Sequence, residues 1–132
     1  MALYQAPFKS NSGSSNVVKG TATSTGAANS EFTCNTGLTT ITKFVAWSLS
    51  GQTDQNTSVI IYDPDLIGSG KFSSAAIQTA GAAQRPRASI GDAPTNYNSS
   101  ILSITNGVVT IKNAATALNP FKGTVYWYAE GT

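Results

Sequence analysis

Apolar residues recur at alternate positions along much of this chain, in short runs broken by Gly, Asn, Pro and Ser, and no stretch of ten or more residues keeps a 3.6-residue period. The pattern predicts a nearly all-β protein. Glu31 to Thr36 alternates and stops at Gly37, with Phe32 and Cys34 on one face. The longest run, Leu38 to Ser50, points Ile41, Val45, Trp47 and Leu49 one way and Phe44 and Ala46 the other. Apolar on both faces, it reads as a central strand. Ser58 to Tyr62 follows the turn Gly51–Asn56 and ends at Asp63-Pro64-Asp65, where proline halts ladder pairing. Between Leu66 and Asn98, short strands are expected at Gly70–Ser73, Ala75–Thr79 and Arg87–Ile90, although Ala75–Ala83 also suits a helical turn.

The sharpest local signal is Asn106-Gly107 between two β runs, the signature of a type I′ hairpin, whose central residues both need positive φ. That tip pairs Thr105 with Val108, Ile104 with Val109 and Leu102 with Ile111, placing Leu102, Ile104, Val109 and Ile111 on one face. The last strand, Gly123–Glu130, sets Val125, Trp127 and Ala129 against Thr124, Tyr126, Tyr128 and Glu130, and its aromatic content places it inside a sheet. About 8–10 short strands are therefore expected, forming one antiparallel β-sandwich or jelly-roll domain over residues 16–132. Residues 1–15 are small and polar apart from anchors such as Tyr4 and Phe8. They read either as an extended arm that docks on a neighbouring subunit or as a frayed terminus.

Composition narrows the function classes. The 132 residues suffice for one core, and 40% hydrophobic content excludes a disordered chain. Only 11% are charged, whereas Ser, Thr and Asn number 16, 17 and 10, which implies a hydroxyl and amide surface. A net charge of +2 from scattered basic residues gives no footprint for nucleic acid. No apolar run approaches the ~20 residues of a membrane span. The start MALYQAPFKS lacks a basic and an apolar signal region, so synthesis without a cleavable signal is expected. The chain has no His, which removes the commonest general base and metal ligand, and Cys34 is the only cysteine. The expectation is a protein that is not an enzyme and uses no cofactor.

Few constellations offer chemistry. Asp63 and Asp65, beside the Gly68-Ser69-Gly70 loop, are the best carboxylate pair for calcium, but as a strand-ending turn their side chains cap backbone amides, which is the preferred reading. Cys34 reads as a buried, inert thiol. Trp47, Trp127, Tyr62, Tyr126 and Tyr128 could together form a sugar-stacking platform on a flat β face. Both tryptophans share a face with aliphatic residues and are preferred for the core, which leaves Tyr126 and Tyr128 as the candidates for an exposed ligand site or subunit interface. Arg85-Pro86-Arg87 is a rigid basic turn suited to an acidic partner or to solvent. Two glycosylation sequons, at Asn56 and Asn98, are expected to be chance in so Asn- and Ser-rich a chain.

In whole-chain character, in the ITKFVAWSLS strand and in the closing GTVYWYAEG strand, the protein resembles small accessory proteins of tailed-bacteriophage particles: capsid decoration or cement proteins and head- or tail-fibre modules. The resemblance implies a virion location, self-association, often as trimers, and docking on other virion proteins. It transfers no site residues, because no diagnostic motif carries it. Two functions stay open: a structural subunit whose arm threads over its neighbours, or a lectin-like module that recognises host-surface glycans through Tyr126, Tyr128 or the Asp63–Gly70 loop.

Overall fold

The computed structural model describes residues 16–49, 57–68, 72–77, 87–91, 99–113, 115 and 120–132, with residues 49, 57, 74–77 and 87–91 described by backbone alone. Their order is β1 (Asn16–Thr25), β2 (Glu31–Asn35), β3 (Ile41–Leu49), β4 (Thr57–Tyr62), a one-turn helix α1 (Pro64–Ile67), β5 (Phe72–Ile77), β6 (Arg87–Gly91), β7 (Ser100–Thr105), β8 (Val108–Lys112) and β9 (Lys122–Gly131). They form two antiparallel sheets, a large one ordered β1-β9-β3-β4-β5-β6 and a small one ordered β2-β8-β7. All-β architecture, with nine strands among the described residues, agrees with the alternation in the sequence. The arm assigned to residues 1–15 falls outside the described residues.

One core joins the sheets in a sandwich-like arrangement. Phe32, Cys34, Val109 and Ile111 from the small sheet meet Phe44, Ala46, Ile60, Val125, Trp127 and Ala129 from the large one. Phe32 packs edge-on against Phe121, with ring centroids 5.5 Å apart. β2 shows the logic most simply: Phe32 and Cys34 are buried and Glu31, Thr33 and Asn35 exposed, as alternation requires.

The hairpin forms as expected at its tip. Asn106 and Gly107 both have positive φ, 51° and 76°, and Thr105 and Ile104 pair with Val108 and Val109. A side chain on Gly107 would collide with the Leu38 carbonyl, while its own carbonyl accepts from the Thr36 N–H at 2.9 Å and hydroxyl at 2.7 Å. Further along, the expected register fails. Ile101, not Leu102, pairs with Ile111, because a bulge leaves Leu102 unpaired and 46% exposed. A second bulge, at Thr42, corrects β3: it turns Ile41 to the core side with Phe44 and Ala46, leaving Val45 and Trp47 on the other side. Alternation alone cannot announce a bulge, since one extra residue reverses every facing beyond it. Between residues 66 and 98, the two short strands expected before residue 80 prove to be the single strand β5, and β6 occupies the Arg87–Ile90 site. The strand form of β5 also decides against a helical turn over its part of Ala75–Ala83.

Polar groups close one end of the core. Three serines from three strands donate to three successive carbonyls at the entry to β9: Ser58 to Pro120 at 3.2 Å, Ser24 to Phe121 at 2.6 Å and Ser48 to Lys122 at 2.7 Å. Asn113, 2% exposed at the end of β8, binds the same segment. Its Oδ1 accepts from the Phe121 N–H at 2.8 Å, and its Nδ2 points among Ser24 Oγ, Ser30 Oγ and the Phe121 carbonyl at 2.9, 3.0 and 3.2 Å. The hydroxyl and amide residues are therefore not confined to the surface.

Replacing Asn113 with Ala would strand several of these buried groups, each worth about 1–3 kcal/mol when unsatisfied. The expected result in urea unfolding is a loss of roughly 2–4 kcal/mol for Asn113→Ala, against a change within about 0.5 kcal/mol for Leu102→Ser at its exposed bulge.

Candidate functional site

The large sheet has a second face, directed away from the shared core. Because directly paired residues point the same way, the register of β1, β9, β3 and β4 lays out two rows on it. One row is Thr21, Tyr126, Trp47 and Val59; the next is Lys19, Tyr128, Val45 and Ile61. Trp47 and Tyr126 stack on each other with centroids 6.0 Å apart and planes 26° off parallel. Tyr126 is 38% and Ile61 36% exposed, and Val17, one position beyond Lys19 on the same face of β1, is 60% exposed. An open groove of about 390 Å³ runs beside the aromatic rings, lined by Lys19, Thr21, Trp47, Tyr126 and Tyr128, with Gly20 and Trp127 completing its lining.

The two tryptophans thus separate. Trp127 belongs to the core, 7% exposed and stacked against Phe44 at 6.5 Å. Its ring lies over Gly20, its cross-strand partner: a Cβ on Gly20 would come within 2.5 Å of the indole. Its buried Nε1 finds no hydrogen-bond acceptor among the described residues, so the contacts described for this tryptophan are packing contacts. Trp47, expected in the core, instead lies partly exposed on the outer face. The reason is architectural: in a two-layer protein a central strand buries only one face, and β3 has already turned Phe44 and Ala46 inward.

Electrostatics on this face are mild. The Tyr128 hydroxyl donates to the Glu130 carboxylate, and this hydrogen bond, with lesser help from burial and from the negative charge of Glu130, raises the phenol above its ordinary pKa. Lys19 supplies a cation at the groove, one strand from Tyr128. On the core side, burial pushes the Cys34 thiol up to about 12, which keeps it protonated and a poor nucleophile.

The other candidates are not gathered here. Asp63 caps α1, accepting from the Leu66 N–H at 3.2 Å, and lies 4.0 Å from Lys43; Asp65 is exposed in the first helical turn. Among the described residues, no three His, Cys, Asp or Glu side chains group as metal ligands. Tyr4, Phe8 and Arg85 lie outside the described residues, and Arg87 is placed in β6 by its backbone alone, opposite Ala76. Among the described residues, the sequence candidates Tyr126 and Tyr128 come together with Trp47, which the sequence reading prefers for the core over a sugar-stacking platform. They are joined by Lys19, Val45, Val59 and Ile61, which the sequence reading did not single out for a site. The signal was present in β3, whose two apolar faces exceed what one core can bury. Comparison with family models, curated proteins and solved structures finds no match to this chain. Among the described residues no helix is long and apolar enough to cross a membrane.

Cys34 gives a pH signature with a defined sign. Its folded pKa is raised, so the folded state holds a proton that the unfolded chain releases near 9.0. Stability is expected to be fully present below that pH and to fall as pH climbs toward about 12, with Tyr128 contributing in the same direction. Denaturation midpoints measured from pH 8 upward should show this decline for the wild type and a shallower one for Cys34→Ala. Native protein should leave the thiol unreactive toward a disulfide reagent at neutral pH.

Proposed function

We propose that this protein is a non-enzymatic structural subunit that self-associates and docks on neighbouring proteins of a larger particle, in the manner of the virion accessory proteins it resembles. The observation that carries this reading is the outer face of the large sheet, where Tyr126, Val17 and Ile61 are exposed and Trp47 partly so. Contiguous exposed aromatic and aliphatic residues mark an interaction surface rather than ordinary solvent-facing sheet. Low charge supports the reading, because copies with a formal charge of +2 approach one another with little repulsion. In full, the proposal is a sandwich or jelly-roll domain whose residues 1–15 form an arm over adjacent subunits, assembled as a trimer and placed on a phage capsid as a decoration, cement or head-fibre component.

One observation favours a second reading. Stacked Trp47 and Tyr126 beside a groove with Tyr128 and Lys19 present flat aromatic rings and polar donors, the chemistry that holds a sugar ring in a glycan-binding module.

Sedimentation of the full chain is expected to give a concentration-dependent oligomer. Deleting Ala2–Ser15 should leave the thermal midpoint within a few degrees of wild type but abolish joining to a particle. Wild-type occupancy by the shortened chain would contradict the arm. On a glycan array the structural reading expects no signal, and binding that disappears in Tyr126→Ala and Tyr128→Ala would favour the lectin instead.

A further inference from the structure

The large sheet ends at β1, and among the described residues that edge is open: β1 pairs with β9 along all ten of its residues and with no strand on its other side. An open edge presents unpaired N–H and C=O groups, and proteins ordinarily blunt it with charge, proline or a bulge. β1 reads NVVKGTATST, with one charge, no proline and an unbroken register against β9. Its outward side chains Val17, Lys19 and Thr21 are exposed and stand one strand away from Tyr128 and Tyr126. Backbone hydrogen-bonding capacity and an aromatic groove thus lie side by side, as strand addition requires.

A segment with matching chemistry lies in the chain itself. Residues 1–15 run up to the start of β1 and are outside the described residues. In an extended conformation Ala2, Tyr4, Ala6 and Phe8 share one face. Lys9 to Ser15, KSNSGSS, is a small polar tether that at ~3.3 Å per residue reaches about 23 Å, some five strand spacings.

We propose that Ala2–Phe8 of one copy adds as a further strand to the open edge of β1 in a neighbouring copy, laying Tyr4 and Phe8 beside the groove of Tyr126 and Tyr128. A neighbouring copy supplies the strand, rather than the same chain, because the apolar field continues through the partly exposed Val45, Trp47 and Val59 to the exposed Ile61. One added strand covers only the margin of that field, whereas a second copy brings both the strand and a body to lie over the rest. The inference rests on the self-association reading and names its acceptor.

The test uses the full chain, with sedimentation and with hydrogen exchange of the β1 amides as separate readouts. Val17→Lys/Thr21→Lys charges the edge at exposed positions, Tyr4→Ser/Phe8→Ser disarms the arm, and thermal midpoints check that each variant folds. Wild type should be oligomeric with slow exchange along β1. Each pair of substitutions should weaken association on the order of tenfold or more and speed β1 exchange, and all four together should do no more than either pair. If the arm pair dissociates the oligomer while the edge pair changes neither readout, the arm docks elsewhere: this inference falls and self-association stands. If wild type is monomeric, both fall, whether or not the arm slows exchange on its own β1.

Discussion

The position of β9 rests on a small set of buried hydrogen bonds at its entry. Ser24, Ser48 and Ser58 each donate to one of the carbonyls of Phe121, Lys122 and Pro120, and Asn113 holds the Phe121 amide. These bonds come from β1, β3, β4 and the end of β8, so they draw both sheets to one point. Without them, the backbone leaving Pro120 would carry unsatisfied carbonyls into an apolar interior. With them, β9 enters between β1 and β3 and can pair on both sides.

Everything on the outer face follows from that placement. Central in its sheet, β9 must send Val125, Trp127 and Ala129 inward, and Gly20 on β1 leaves the space that the Trp127 indole fills. The alternate residues, Tyr126 and Tyr128, are then carried outward and meet Trp47 and Val45 on β3. The same geometry that builds the core therefore builds an aromatic surface that stays partly open among the described residues. A surface of this kind costs free energy in water, about 25 cal/mol per Å² of apolar area, which a partner that covers it would recover.

Much of the fold was legible because strands and turns follow local rules. The Asn106-Gly107 tip and the alternation of Phe32 and Cys34 needed no knowledge of tertiary contacts. Misreadings had identifiable causes. The extra residues Thr42 and Leu102 each reversed a facing, so Ile41 was expected outside the core group it joins and Leu102 inside one it leaves. Asn113 and the three serines were invisible among the 43 Ser, Thr and Asn residues, since nothing in a short polar side chain says whether it is buried. At the candidate site, Tyr126 and Tyr128 were found by their phase in β9. Trp47 was given to the core in preference to a sugar-stacking platform, because a tryptophan among aliphatic residues fits either until the number of layers is known.

The central claim is that the outer face of the large sheet is a contact surface between subunits. Sedimentation equilibrium of the full chain beside Trp47→Lys/Tyr126→Lys tests it most directly, because both positions lie on that face and outside the core. The account predicts an oligomer for the wild type and a folded monomer, with an unchanged far-ultraviolet circular dichroism spectrum, for the variant. An oligomer of the same mass and stability in the variant, or a wild type that stays monomeric at high concentration, would contradict it.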